Sequence, residues 1–374
     1  MTETVLSPRA LNRATLARQL LLQRSDRSVT EVVEHLVGLQ AQTPHSWYLG
    51  LWNRIAGFRP EHAADLLERH QLVRIALMRS TIHLVTAPDA LGLRPLVQPA
   101  LDRDLYTNYT HGRPIRGIDM AALTNAARDL LNEQPRTPKQ LGELLHAQWP
   151  DRPPATLAYA VRNQVPLVQV PPRGLWGHSG PTAHTTLETW LKTSSPSERA
   201  SLPQLVLRYL AAFGPATIKD AQTWSGLTGL RAAFAALRPR LVTFRDENGR
   251  ELFDLPNAPR PDPDTPTSPR FLYDFDNLLR SHADRSRVLT DDYRRHSRRP
   301  NGIVPAVVLL DGVTNGDWTI THDRDEATLT IRPYTRPTDQ AIAALTDEGS
   351  RLLNFAAINA DTRNIHIDDE LFRQ

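Results

Sequence analysis

The order of its secondary-structure signals constrains this chain more than any single motif does. Helical patterns come in groups, each group is followed by paired strand signals, and a strand-helix-strand rhythm appears nowhere. A parallel sheet calls for that rhythm, so a parallel-sheet scheme fits the chain less well than tandem helical units with hairpins.

In the first group, "SPRALNRATLARQLLLQR" places Ser7 as a cap, Pro8 in the first turn, and Leu11, Leu16, Leu20 and Leu21 at helical spacing. "SVTEVVEHLVGL" is a second helix that stops near Gly38, and "YLGLWNRIAG" and "RPEHAADLLERH" follow. Two strand-like runs then close the group, "LVRIALM" and "TIHLVT", separated by Arg79 and Ser80. The second group reads as "GIDMAALTNAARDLLNEQ", "TPKQLGELLHAQWP" and "PPATLAYAVRNQ", followed by "PLVQVPPRGLWG". The third reads as "SLPQLVLRYLAAFG", "PATIKDAQTWSG" and "LTGLRAAFAALRPR" before "LVTFRDENGRELFDL", whose Asn248-Gly249 is a hairpin signal.

Short helices followed by a hairpin describe a winged helix, a DNA-docking unit. The expected fold is therefore mainly α with β wings (α+β): three tandem winged helix-turn-helix units at 1–115, 116–200 and 201–256. The Pro- and Asp-rich run Leu255 to Arg270 marks a boundary, and 257–374 then holds that linker and a β-rich C-terminal unit, expected to be barrel-like. In it, "AVVLLDGVTNGDWTITHD" and "EATLTIRPYT" are antiparallel strands with a turn expected at Asn315-Gly316, "PTDQAIAALTDEGSRLLNFAA" is an amphipathic helix, and "RNIHID" is a last strand.

Charge supports a DNA partner. Residues 1–255 hold 29 Lys+Arg against 22 Asp+Glu, and 256–374 hold 15 against 19. Of the 44 basic residues, all but Lys139, Lys192 and Lys219 are arginine, the side chain suited to bidentate phosphate contact, although coding bias also produces an Arg-, Ala- and Pro-rich chain. The candidate contacts are Arg79, Thr81 and His83 at the first wing, Arg162 and Asn163 ending the second group's last helix, Arg173 at its wing tip, and Arg238 and Arg240 in the third. With no cysteine, thiolate zinc sites and a cysteine nucleophile are excluded. The N-terminus carries no signal-peptide pattern and no long apolar run exists, so a soluble monomer without membrane contact is expected, in the cytoplasm with the nucleoid.

Other chemistry finds little support. The histidines are scattered, with His178 and His184 in a Gly/Pro-rich loop, so no metal and no other cofactor is expected. Phosphate-cradling and nucleophile-elbow motifs are absent. The acid pairs Asp274/Asp276 and Asp291/Asp292 allow glycoside-type chemistry, but "YDFDNLLRSH" reads more simply as a turn with a capped helix.

There remains "GLQAQTPHSW", where Gln40 and Gln42 flank Ala41. In an extended segment both amides face one surface; from spacing alone they are equally well helix-end glutamines bonding nearby backbone. The order "LVGLQAQTPHSWYLGLWNR", "ALMRSTIHLVT", "YDFDNLLRSHADR", "VVLLDGVTNGDW" resembles the AlkZ/YcaQ superfamily of winged-helix DNA glycosylases over nearly the whole chain. The most specific elements are the glutamine motif and the run from Arg79 to Val85. The resemblance implies three winged helices forming a basic concave surface, a C-terminal barrel, and excision of N7-alkylated purines, with Gln40 and Gln42 catalytic. The Gln-apolar-Gln pattern matches the AlkZ-like branch, which also unhooks interstrand crosslinks of DNA-alkylating antibiotics, rather than the Gln-x-Asp branch. The implied partner is double-stranded DNA carrying such lesions. No lysine stands near the motif in the sequence, so a monofunctional hydrolase without lyase activity is expected. A non-catalytic winged-helix regulator is the alternative, and an acid-pair hydrolase is a third.

Overall fold

The computed structural model describes residues 4–193, 201–296 and 305–368. Its strands are β1 (Val5–Leu6), β2 (Leu39–Gln40), β3 (Leu72–Ala76), β4 (Ile82–Thr86), β5 (Leu167–Gln169), β6 (His184–Thr186), β7 (Val242–Asp246), β8 (Glu251–Asp254), β9 (Arg270–Leu272), β10 (Val307–Leu310), β11 (Val313–Asp323), β12 (Glu326–Pro333) and β13 (Thr362–Ile367). They pair as β1-β7-β8, β2-β4-β3-β5-β6 and β13-β12-β11-β10-β9, between and around helices. The fold is mixed α+β. Among the described residues no helix is long and apolar enough to cross a membrane.

Capping chemistry places the helices as the sequence predicts. Ser7 Oγ accepts from Ala10 N at 3.2 Å to start helix Pro8–Arg18, and Ser28 with Glu31 forms a capping box on Val29–His35. The second group appears as Met120–Glu133, Pro138–His146 and Pro154–Gln164, and the third as Leu202–Phe213, Ile218–Ser225 and Arg231–Leu237. Two further helices, Ala87–Leu96 and Gln98–Thr107, fill a stretch that the sequence reading left unassigned, the first capped by Thr86. The boundary expected at 200/201 falls against residues 194–200, outside the described residues.

The hairpins are not equivalent, and this changes the picture of separate wings. β3 pairs with β4 as expected, but Arg74 and Ile75 of β3 also pair with Gln169 and Val168 of β5, so the first and second hairpins join one sheet. Every residue of β3 and β4 is buried. The first hairpin is therefore the centre of a core sheet and not an exposed wing. The third hairpin, β7 and β8, does have exposed residues at its tip, with Gly249 N donating to Asp246 O at 2.9 Å, and the loop joining β5 to β6 is exposed at Pro172 and at 177–179.

At the C-terminus the five strands form an open sheet and not a closed barrel. β13 lies parallel to β12 at one edge, β9 closes the other, and helix Asp339–Ala356 packs Leu345, Leu352 and Leu353 inward. The turn also differs from expectation. It falls at Asp311-Gly312 between β10 and β11, while Asn315 and Gly316 lie inside β11, Gly316 opposite both Val308 and Pro333. The linker 255–269 contains no helix or strand and is held against the first helix, where Arg13 Nε donates to Thr265 O at 2.8 Å and Arg18 Nη2 to Pro259 O at 3.2 Å.

Candidate active site

Gln40 is positioned by a close approach of backbones. After helix Val29–His35 the chain turns through Gly38 at φ +92°, where a Cβ would meet Val85 Cγ1 at 2.6 Å and Leu84 O at 2.9 Å. Glycine thus lets β2 lie against β4, with Gln40 opposite His83. Ala41 N donates to Ile82 O at 2.8 Å, which makes Gln40 and His83 a non-hydrogen-bonded pair, the kind with the closer side chains. Ala41 is fully buried in the main core, as the apolar middle of the motif requires, so its two neighbours turn the other way.

The other edge of the glutamine strand is held by the segment after β9. Tyr273 Oη donates to Gln40 O at 3.0 Å, Asn277 Oδ1 accepts from Gln40 N at 3.3 Å, and Asn277 Nδ2 donates to Gly38 O at 2.7 Å. Arg74 Nη2 donates to Ala41 O at 2.9 Å, and Thr43 Oγ1 donates to Asp274 Oδ2 at 2.7 Å. The backbone N–H and C=O groups of Gln40 and Ala41 are therefore all bonded. Tyr273, Asn277 and Arg74 were not among the expected site residues; the sequence trace of the first two is the place of "YDFDN" in the motif order, and Arg74 lies in the strand-like run "LVRIALM".

Both side-chain oxygens are committed as well. Gln40 Oε1 accepts from Arg79 Nη2 at 2.9 Å, and Gln42 Oε1 accepts from Ile82 N at 3.2 Å. Guanidinium and backbone N–H only donate, so these contacts fix which end of each amide is oxygen. Neither amide nitrogen bonds to a described residue. Each carbonyl keeps a second lone pair. Arg79 thus sits at the oxygen end of Gln40.

Arg79 occupies a held turn. Arg79 and Ser80 both have φ of 56°, a left-handed conformation that costs of order 1–3 kcal/mol for a non-glycine residue. The turn is secured by Arg79 Nη1 on Trp224 O, Arg162 Nη2 on Ser80 O at 2.7 Å, and Ser80 Oγ on Asn163 Oδ1 at 2.9 Å. Gly226 packs on it, where a Cβ would lie 3.0 Å from Arg79 N. Burial first, then Arg280, lowers the Arg79 guanidinium to about 10.

The expected DNA contacts separate into two sets. Arg238 and Arg240 are exposed, with Arg238 paired to Glu251 at 2.8 Å, and Arg173 donates to Gly180 O at 3.1 Å within its loop. His83 and Asn163 are buried, Arg79 and Arg162 are mostly so, and Thr81 Oγ1 donates to Met78 O at 3.0 Å. This second set packs around the Gln40 strand and the Arg79 turn, with Arg79, Thr81 and Arg162 partly exposed. Burial also reduces the arginine surplus, since Arg13, Arg18, Arg54, Arg74 and Arg94 all lie in the interior. A charge count carries no information on burial.

His83 and His184 show the same effect. His83 Nδ1 lies 3.0 Å from Thr81 O, an acceptor only, so Nδ1 carries the proton and Nε2 is left as a lone pair. Burial, with Arg79, pushes His83 down to about 3, and burial pushes His184 to about 4. Both stay neutral in the fold while the unfolded chain protonates near its ordinary 6.5, so the unfolded state binds more protons below that pH. Stability is expected to be full above about pH 6.5 and to fall as pH drops toward 4 and then 3. Denaturant midpoints measured from pH 7 to pH 4 check this, and His83→Gln should flatten the slope.

Beside Gln42 opens a cavity of about 810 Å³, also lined by Arg79, Thr81, Tyr159 and Lys139. Lys139 is thus nearer the glutamines than its place in the sequence implies. Its ammonium is exposed, 3.9 Å from the Glu143 carboxylate. Among the described residues no group of His, Cys, Asp and Glu is arranged to hold a metal ion. Asp276 is fully buried in a bidentate pair with Arg54 at 2.7 and 2.8 Å, and it also caps the turn at Leu278, the structural role its sequence context suggests.

The profile of the family described as "DNA glycosylase AlkZ-like" matches residues 33–355. The chain is 25% identical over 364 residues to a Streptomyces sahachiroi protein described as an interstrand DNA cross-link repair glycosylase, covering 92% of this chain and 95% of that one. Its fold is similar to the solved structure of the S. sahachiroi DNA glycosylase AlkZ, with a TM-score of 0.77 over 98% of this chain and 100% of the other, at 22% identity.

Proposed function

This chain belongs to the AlkZ-like DNA glycosylase family, enzymes that hydrolyse N-glycosyl bonds in DNA, and from that premise we propose that its substrates are N7-alkylated purines, including bulky adducts and the interstrand crosslinks of DNA-alkylating antibiotics. The observation that carries the reading is the pair Gln40 and Gln42, placed on one face with their amide oxygens held by Arg79 and by Ile82 N–H. No carboxylate takes the place of either.

The chemistry fits such a pair. An N7-alkylated guanine is already cationic, so as the C1′–N9 bond breaks its electron pair returns to the ring and the base leaves neutral. Water oxygen bonds to C1′, and the proton it loses passes to solvent. What the protein must supply is orientation of that water and of the sugar, together with a preorganised polar surround. The second lone pair of each amide oxygen accepts from the water, and the NH2 groups donate to sugar or base oxygens. An amide cannot remove a proton as a carboxylate does, so uncharged lesions such as uracil are outside its range.

Catalysis by water and not by an amine makes the enzyme monofunctional. Lysine nucleophiles of this kind are usually desolvated or set beside another cation, whereas Lys139 is exposed beside Glu143. The test is a base-release assay on methylated duplex with borohydride present. Free 7-methylguanine, intact abasic strands and no trapped protein–DNA adduct are expected. An adduct lost in Lys139→Ala would replace the hydrolytic reading with an amine-catalysed one, and no release of 7-methylguanine would overturn the reading of the substrate.

A further inference from the structure

We infer that the cavity beside Gln42 receives the body of the lesion, an uncharged ring-bearing N7 substituent with a hydrogen-bonding group that meets His184. The inference rests on the glycosylase reading and extends it to a substrate class. Under that reading the bond to be broken lies at Gln40 and Gln42, so what the purine carries at N7 must be housed nearby. Gln42 and Thr81 stand at one side of the cavity, between the Arg79 turn and the helices Pro138–His146 and Pro154–Gln164.

Size and lining define the ligand. A volume of about 810 Å³ lies within the range of about 300–1,000 Å³ common for pockets holding drug-sized molecules, far beyond what a methyl group needs. Leu141, Ala158 and Tyr159 provide apolar wall, and the Tyr159 ring is backed by His111 with centroids 4.5 Å apart. The charges at the rim already have partners. Tyr159 Oη donates to Asp104, Arg162 spends two N–H groups on Ser80, and Lys139 stands by Glu143. The buried guanidiniums there are already hydrogen-bonded and the Lys139–Glu143 contact is solvent-exposed, so the cavity holds no buried unmatched charge and an uncharged ligand is favoured.

His184 is the polar group without a task. It is 6% exposed, lines the cavity, and its imidazole bonds to no described residue. Its ring nitrogens open onto the cavity, so a ligand group that reaches them takes the place of solvent with a fixed hydrogen bond. Burial keeps this ring neutral, so it offers one donor and one acceptor.

The experiment compares release of 7-methylguanine and of 7-(4-carbamoylbenzyl)guanine from otherwise identical duplexes. The carbamoyl group pairs with either tautomer of His184. Ala155→Trp is the first variant, because Ala155 is exposed on the cavity rim and an indole there occludes the space without entering the core. His184→Phe is the second, and keeps the ring while removing both nitrogens. In each, the bulky-to-methyl rate ratio is expected to fall about tenfold or more from the wild-type value. A ratio that falls less in both variants overturns the inference, as does equal loss of both activities, which would put the purine itself in the cavity. Wild-type release of 7-methylguanine isolates the glycosylase reading, so failure of that reading is seen separately, and the inference falls with it.

Discussion

Replacing both Gln40 and Gln42 by alanine is expected to lower the single-turnover rate of 7-methylguanine release by at least about 10²–10³-fold, with duplex affinity unchanged. That magnitude is what loss of a preorganised polar group in an enclosed site costs. Affinity should persist because Arg238 and Arg240 lie exposed on another part of the chain. Removing Gln40 also leaves Arg79 Nη2 without its acceptor in a mostly buried position, so the double variant needs a control for folding. Arg79→Met supplies the complementary result: it keeps the bulk of the side chain, frees the Gln40 amide to rotate, and should slow release while changing affinity little. Undiminished release by the double variant would remove the glutamines from the mechanism.

Asp276→Ala is expected to destabilise the fold by about 3–5 kcal/mol, the cost of leaving one half of a buried ion pair unpaired. Neither Arg54 nor Asp276 has an accessible side chain, and their two hydrogen bonds join the end of helix Ser46–Trp52 to the segment that carries Tyr273 and Asn277. Those two residues grip the backbone of Gln40, so the loss reaches the site through its support. Denaturation midpoints check the stability, and release of 7-methylguanine per folded molecule at low temperature checks the chemistry. Activity should survive in the folded fraction. A chemically dead but stable Asp276→Asn variant would instead favour the acid-pair hydrolase.

Much of this architecture is legible in local pattern. The helix starts at Pro8, Val29, Pro138 and Ile218 follow Ser or Thr caps visible in the chain, and the hairpin across Asn248-Gly249 stands where turn chemistry places it. Two turn-like dipeptides four residues apart misled the reading at the C-terminus. Asp311-Gly312 makes the turn, and strand pairing through Gly316 overrides the local preference of Asn315-Gly316. The expected barrel failed for a related reason: closure depends on how edge strands meet, and here β9 and β13 do not.

By itself the sequence determined the three helix groups with their hairpins, the C-terminal strands and the identity of the paired amides, because caps, turns and apolar spacing act over a few residues. Only the tertiary structure decided that the first hairpin is a core sheet, that Arg79 and His83 serve Gln40 from within, and that Tyr273 and Asn277, more than 230 positions away, hold its backbone. The physical reason is that these outcomes turn on burial and on pairing between distant segments. An arginine reads the same in a chain whether its guanidinium meets solvent or the oxygen of a buried glutamine.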